Sequence, residues 1–170
     1  MKLKIIVFIL LGLISCTPKK ATDFKAEIVG KEQPAFDILL AKGGPEEEEL
    51  TCLIKRDFKG ALLAIDKQEE GFNTIIGQIS SIPTDGVNNG TDLKKAATDY
   101  YTSLRDLHLF ERKKIAQQEI TFNKNIEAAR KAEDKLFELS QEQLLMSKKT
   151  QEKKGYLQYE LQQFDKANKL

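Results

Sequence analysis

The chain has 170 residues, with 27 basic and 26 acidic side chains and a formal net charge of +1. This balance gives no general attraction to nucleic acid, and no local basic patch of the kind that nucleic-acid binding needs is evident, so we expect no nucleic-acid partner. One histidine, two cysteines and no tryptophan leave too few soft or imidazole ligands for a zinc or di-iron site. We therefore expect a single domain without a metal or cofactor.

The first residues have the pattern of a secretory signal peptide. Lys2 and Lys4 supply positive charge, and the apolar stretch 5–14 follows them. This stretch is too short to cross a bilayer, which takes about 20 apolar residues as a helix. We predict a cleaved signal peptide over residues 1–15.

The residues at the predicted cleavage site resemble the lipobox of bacterial lipoproteins, because Leu13, Ile14, Ser15 and Cys16 match its four positions. The resemblance implies that Cys16 receives a diacylglycerol group, becomes the new N-terminus and is then acylated, for example with palmitate. Two or three acyl chains give lasting attachment to a membrane. The resemblance also favours the outer membrane over the inner one, because Thr17 stands where an acidic residue favours inner-membrane retention in many diderm bacteria. The alternatives are an ordinary signal peptide with a coincidental cysteine, or a buried cysteine of an intracellular protein.

After Cys16 the sequence is polar and rich in lysine, so we predict a lipidated tether over residues 16–33 and a folded domain over residues 34–170. The tether contains an ambiguous stretch. Charged residues alternate with apolar ones there, as in a strand, whereas Thr22 is a suitable N-cap for a helix. The alternating apolar residues are Phe24, Ala26 and Ile28.

Two helices are predicted before residue 83. A short one of about nine residues begins at Pro34 and ends before Gly43, and a long one runs from Pro45 to about Ile82. The long helix carries a heptad seam, which serves either a bundle within one chain or a dimer. The seam consists of Ile54, Phe58, Ala61, Ile65, Gln68, Phe72, Ile75, Ile79 and Ile82.

Residues 83–90 contain Asp-Gly and Asn-Gly, which predict a reversal of the chain. Thr91 then caps a third helix, and residues of weaker helix propensity predict a turn near Phe122. A final helix follows, with an end or a kink at Gly155. Its apolar residues are Ile126, Ala129, Leu136, Phe137, Leu139, Leu144, Leu145 and Met146.

These elements predict an all-α protein, an antiparallel bundle of three long helices and one short helix. A second resemblance concerns the region from Leu62 to Leu170. Ile82-Pro83, the turn after it, the segment 94–101 and the charged last helix resemble uncharacterised small helical lipoproteins of Bacteroidetes and spirochaetes. This resemblance implies a helical fold and no particular activity.

Only a few residues are candidates for chemistry. His108 and Glu111, three positions apart on one helix, form half of the ligand set that a carboxylate-bridged metal bundle needs, and the chain has no second histidine. The alternative is a half-buried helical histidine. The acids 46–49 are interpreted as favourable charges at a helix N-terminus rather than as a calcium site. No nucleophile with an adjacent base is evident, so we expect no enzyme activity.

Three further features have two interpretations each. Tyrosines line either the end of a core or a ligand cleft that the glycines of the long helix open. A group of lysines near the C-terminal end lies either on a solvated helix or against lipid headgroups or an acidic partner. Cys52 is either a small buried apolar residue or a reactive or dimer-forming thiol. The tyrosines are Tyr100, Tyr101, Tyr156 and Tyr159, the glycines are Gly60, Gly71 and Gly77, and the lysines are Lys148, Lys149, Lys153 and Lys154.

Taken together, the sequence predicts a lipid-anchored, non-enzymatic bundle of the bacterial envelope that acts as an interaction or structural module. Its partners would be the membrane, through the anchor on Cys16, and an envelope protein of unknown identity. The alternative is a bundle that binds or senses a small ligand.

Overall fold

The computed structural model describes residues 17–122 and 124–170, and the regular structure in these residues is α-helix alone. The prediction of an all-α protein is confirmed. The predicted signal peptide over residues 1–15 and the lipid site at Cys16 lie outside the described residues. The helices are α1 (Thr17–Val29), α2 (Glu32–Leu40), α3 (Pro45–Ile54), α4 (Phe58–Ser81), α5 (Gly90–Leu109), α6 (Glu111–Thr121) and α7 (Ile126–Asn168).

The helices form four antiparallel rows: α1 to α3, then α4, then α5 with α6, and finally α7. Contacts along α4 and α5 show the opposite chain directions. Lys94 Nζ, near the start of α5, donates to Ile82 O at 2.8 Å just beyond the end of α4. Further along, Arg105 Nη1 donates to Asn73 Oδ1 at 2.8 Å. The predicted bundle had three long helices and one short helix. The observed arrangement differs from it, because the first row consists of three helices and the third row of two.

The segment predicted as a tether begins with a packed helix. Ala21, Phe24 and Ile28 are buried in the main core, and the Phe24 and Phe164 rings stack with centroids 5.4 Å apart. Spacings of three and four residues place these side chains on one face of a helix. The prediction of a tether over residues 16–33 is therefore wrong for residues 17–29.

The predicted long helix is interrupted between α3 and α4. Arg56 has a left-handed backbone with φ of 58°, and the Asp57 side chain accepts a hydrogen bond from Gly60 N at 2.9 Å. An aspartate in this position caps a new helix, so α4 begins at Phe58. The heptad seam is buried from Ala61 to Ile82, whereas Ile54, which comes before the interruption, is 84% exposed.

The predicted turn near Phe122 is present. Helix α6 ends at Thr121, and α7 begins at Ile126 after Asn125, whose side chain accepts from Ala128 N at 3.2 Å. The helix α7 then continues through Gly155 to Asn168, so the predicted end at Gly155 is wrong.

Two groups of buried side chains hold the rows together. The main core joins α1, α2, α4, α5 and α7, and its large members include Phe72, Leu93 and Phe164. A smaller core of Ala61, Ile65 and Ile115 lies toward the α6 end, with half-buried Cys52 against it.

Several of the apolar residues named for the final helix, α7, are exposed. The buried positions of α7 lie on one side of the helix and include Ala132, Leu139, Thr150, Leu157 and Phe164. The exposed residues are Ile126, Phe137, Leu144 and Leu145. Since one turn takes 3.6 residues, Phe137 and Leu144 lie on the side opposite Leu139.

Two glycines in α4 are expected to respond differently to alanine. A Cβ at Gly77 would meet no atom within 4 Å, whereas a Cβ at Gly71 would lie 2.7 Å from Ile38 Cδ1. Glycine in a helix costs about 0.5–1 kcal/mol relative to alanine. Gly77→Ala should therefore raise the free energy of unfolding by about that amount, and Gly71→Ala should gain less or lose stability. Urea unfolding of both variants measures the difference, and equal gains would contradict the packing of α2 against α4.

Candidate functional site

The first candidate site is an apolar groove beside the paired tyrosines of α5, which we call the tyrosine groove. The rings of Tyr100 and Tyr101 lie 5.0 Å apart between centroids at an angle of 54°. Tyr100 is half-buried, while Tyr101 is only 2% exposed. The groove has a volume of about 330 Å³ and lies between α2, α5 and α7. Its other lining residues are Glu32, Ala35, Phe36, Leu39, Leu40, Leu104, Lys154, Leu157, Gln158 and Leu161.

The tyrosine hydroxyls in this groove stay protonated over the physiological range. Burial raises the pKa of Tyr100 above its usual 10, and the nearby Glu32 carboxylate adds to the effect. Burial raises the pKa of Tyr101 as well, with further contributions from Tyr100 and Glu32. A neutral phenol both donates and accepts hydrogen bonds, so the groove offers polar contacts without charge on its tyrosines.

The glycines of α4 do not line this groove, contrary to the sequence-based idea that they open a cleft. Gly71 lets α2 approach α4 closely, and Gly60 lies beside Asp57 and Cys52. A glycine at a helix contact removes side-chain volume, so the neighbouring helix occupies the space instead of leaving a gap.

The second candidate site is a polar cluster between α3, α4 and α5. Gln68, which is fully buried, donates through Nε2 to Glu49 Oε2 at 2.7 Å and to Glu46 Oε2 at 3.1 Å. The Glu46 carboxylate also lies 3.4 Å from His108 Nδ1. The structure thus brings together the acidic start of α3 and the single histidine, which sequence reasoning treated separately.

Glu49 is the most perturbed acid of this polar cluster. It is 3% exposed, and burial raises its pKa from 4.5 to about 7 against the opposing effect of its hydrogen bond from Gln68. Glu46 and Glu111 raise the pKa further, whereas His108 lowers it. A buried carboxyl group with two acidic neighbours therefore exchanges its proton near neutral pH.

Beside the polar cluster is a cleft of about 370 Å³ that Glu46, His108 and Glu111 line together with side chains of α7. Glu111 is held by Lys114 Nζ, with the shortest N–O distance at 3.1 Å, and accepts a hydrogen bond from Gln143 Nε2. Within residues 17–122 and 124–170, no three His, Cys, Asp or Glu side chains are arranged to hold a metal ion.

The lysines near the C-terminal end do not form one patch. Lys153 Nζ lies 3.3 Å from Asp99 Oδ2 on α5, and Lys149 lines the same small cleft. Lys154 lies at the tyrosine groove instead, and Lys148 is exposed. Neighbouring lysines on one helix point in different directions, so the four side chains contact different surroundings.

The apolar residues at the α3–α4 and α6–α7 connections were not identified from the sequence as a surface. The Phe122 ring packs near Phe58, with centroids 5.8 Å apart, and the Arg56 guanidinium carbon lies 4.2 Å from the Phe122 centroid. Ile54 and Ile126 next to these connections are 84% and 76% exposed. Ile54 was predicted as part of the heptad seam, and only the cap at Asp57 signals otherwise.

Residues 17–122 and 124–170 include no helix that is both long and apolar enough to span a bilayer. Comparison of the chain with models of protein families, with curated protein sequences and with solved structures found no match in any of the three.

Proposed function

We propose that this protein is a lipid-anchored, non-enzymatic helical bundle of the bacterial cell envelope that acts as an interaction or structural module. The observation that carries the proposal is the lipobox-like sequence ending in Cys16, directly before the first residue of α1. The lipid attached to Cys16 would hold the bundle at the membrane without an intervening flexible segment. Thr17 after the cysteine supports the outer membrane.

An anchor at Cys16 would put the end of the bundle where α1 begins next to the membrane. At the start of α1, Lys20 Nζ donates to Asp85 O at 3.2 Å in the α4–α5 connection. At the end of α7, Asn168 Nδ2 donates to Asn88 O at 2.8 Å in the same connection. These contacts place the start of α1, the end of α7 and residues 82–89 at one end, which we call the membrane-proximal end.

The opposite end is suited to contact a partner. Helix α7 rises 1.5 Å per residue and is about 65 Å long, so its first residue lies far from the membrane-proximal end. The exposed side chains Ile54, Phe122 and Ile126 lie there, and we call them the distal apolar end. Exposed apolar side chains at one end of the bundle support a protein interaction site there.

Photo-crosslinking in native membranes followed by mass spectrometry tests both parts of the proposal. We expect specific crosslinks to one or a few envelope proteins in the unmodified chain. Cys16→Ala should abolish membrane partitioning and these crosslinks, because the acyl chains are lost. Ile126→Lys should remove the crosslinks while leaving the protein in the membrane fraction.

A matched control is Tyr159→Lys, which changes an exposed side chain of α7 closer to the membrane-proximal end. Its crosslinks should equal those of the unmodified chain. Unchanged membrane partitioning of Cys16→Ala would refute the anchor. Loss of crosslinks in Tyr159→Lys, or their retention in Ile126→Lys, would refute the role of the distal apolar end.

The second candidate function is binding or sensing of a small ligand, and the tyrosine groove favours it. The groove combines apolar walls with neutral hydroxyl groups, which is the usual composition of a small-molecule site. The groove lies away from the distal apolar end, so both functions are compatible with one fold.

A further inference from the structure

We infer that helix α3 is a proton-controlled segment, which stays docked on α4 while the Glu49 carboxyl group is protonated and undocks when that group ionises. The inference goes beyond the proposed function, and it depends neither on the anchor at Cys16 nor on a partner. It rests on the way α3 is attached to the bundle, on the groups around Glu49 and on the connections at both ends of the helix.

The attachment of α3 depends on a carboxyl group. Of the ten residues of this helix, Glu49 alone is buried, with 3% of its surface exposed. The apolar contacts of α3 come from Cys52 and Leu53, which are half-buried against the smaller core. Ile54 at the end of the helix is 84% exposed. Burying an ionised carboxylate is costly, so a charge on Glu49 weakens the contact that holds α3 in place.

The hydrogen bonds around Glu49 are shared and incomplete. Gln68 Nε2 on α4 donates both to Glu49 Oε2 at 2.7 Å and to Glu46 Oε2 at 3.1 Å. Within residues 17–122 and 124–170, the buried Gln68 Oε1 has no hydrogen-bond partner. One amide group therefore serves two carboxyl groups, and a partly satisfied network does little to offset a second negative charge. Protonation makes Glu49 a hydrogen-bond donor as well as an acceptor, which suits a site that contains the Glu46 carboxylate.

The titratable groups that face Glu49 come from three helices. Burial raises the pKa of Glu49 from 4.5 to about 7, Glu46 and Glu111 raise it further, and His108 lowers it. Glu111 is itself paired with Lys114 at 3.1 Å. Because the docked state holds the proton more tightly, docking is most favourable below about pH 4.5 and is weakened as the pH rises through about 7. From pH 5 to pH 8 the ratio of undocked to docked α3 should rise about tenfold to a hundredfold.

The connections at both ends allow α3 to move separately from its neighbours. Gly43 and Arg56 have left-handed backbones, with φ of 75° and 58°, so a turn lies on each side of the helix. A ten-residue helix is marginal in water without packing, so undocked α3 should lose its helical hydrogen bonds. Ile54, the last residue of α3, belongs to the distal apolar end, and undocking therefore moves part of that surface.

Amide hydrogen exchange of the protein extracted from its native membrane tests the inference, with peptide mass spectrometry at pH 5 and pH 8. The rates are corrected for the intrinsic pH dependence of exchange and expressed as protection factors. We expect the protection of α3 to fall about tenfold to a hundredfold between these pH values. At pH 8 it should be lower than the protection of the heptad seam of α4, because α3 opens without the rest of the bundle.

Three variants identify the group responsible. Glu49→Gln cannot ionise, so α3 should be equally protected at pH 5 and pH 8. The control Glu48→Gln changes a half-exposed side chain of the same helix that pairs with Lys67, and it should show the same fall as the unmodified chain. Histidine side chains generally change charge in this pH range. In His108→Gln, α3 should nevertheless lose protection about tenfold or more, because Glu49 is still present.

Each of the opposite results overturns the inference. Equal protection of α3 at pH 5 and pH 8 in the unmodified chain would show that no proton controls its docking. Equal protection of α3 and the heptad seam at both pH values would show that α3 opens only when the whole bundle unfolds. Loss of the pH dependence in His108→Gln, or its retention in Glu49→Gln, would refute the role of Glu49.

Discussion

Phe72→Ala is expected to lower the free energy of unfolding by about 3–5 kcal/mol, because it removes a large side chain from the centre of the main core. Phe72 is fully buried, and its ring stacks on His108 with centroids 6.0 Å apart. Truncation would leave a cavity between α4 and α5 that the helices can fill only in part. Urea unfolding followed by circular dichroism measures the change.

The matched control is Phe137→Ala, which removes the same ring from the outward side of α7. Phe137 is 69% exposed, so its truncation should change the free energy of unfolding by no more than about 0.5 kcal/mol. A large loss in Phe137→Ala, or a small one in Phe72→Ala, would mean that the rows pack through other faces.

The stability of the fold is expected to fall as the pH rises from about 4.5 to 7, because Glu49 is buried. The pKa of Glu49 is about 7 in the folded chain and 4.5 without burial. Between these values the folded state binds a proton that the unfolded state has released, so raising the pH favours unfolding. The contribution of Glu49 that is lost across this window is up to about 3 kcal/mol.

Glu49→Gln should remove this part of the pH dependence, because glutamine has a similar shape and does not ionise. The variant should be more stable than the unmodified chain at pH 8, and the difference should shrink or reverse at pH 5. Since Glu46, Glu111 and His108 face the same carboxyl group, comparison of the two chains isolates Glu49.

Glu48→Gln is the control for the charge change. Glu48 is half-exposed and pairs with Lys67 at 2.7 Å, and pairs of this kind contribute about 1 kcal/mol or less. Its pH dependence between 5 and 8 should match that of the unmodified chain. Parallel stability curves for Glu49→Gln and the unmodified chain would contradict the burial of the Glu49 carboxyl group.

Sequence periodicity predicted the helices well where one face of a helix is buried along its length. The seam of α4 from Ala61 to Ile82 is buried as predicted, because its apolar residues recur at spacings of three and four. Periodicity failed at Ile54, since the spacing continues through the interruption at Arg56 and Asp57. Only the cap at Asp57 signals that interruption, and an aspartate within a polar stretch is a weak signal.

Residues 17–29 and helix α7 show that amino-acid composition does not predict which side chains are buried. The segment 17–29 is rich in charged residues and was assigned to a tether, although Ala21, Phe24 and Ile28 are buried. In α7 several large apolar residues are exposed, among them Phe137 and Leu144. Which of them face the core depends on the register of α7 against α5, and the sequence of α7 alone does not determine that register.

The sequence predicted individual residues of the candidate sites but not which of them meet in space. Tyr100 and Tyr101 were singled out, and they do line a groove, but α2 and α7 complete that groove from distant parts of the chain. His108 and Glu46 are 62 positions apart in sequence and meet at 3.4 Å. Contacts of this kind follow from how the rows pack, which local patterns do not specify.

The most direct test of the central claim is the mass of the protein extracted from its native membrane, with mapping of its N-terminal peptide. We predict that the chain begins at Cys16 and that this residue carries a diacylglycerol group and an additional acyl chain. A chain that retains residues 1–15, or that begins elsewhere with Cys16 unmodified or absent, would contradict the lipid anchor and the orientation of the bundle derived from it.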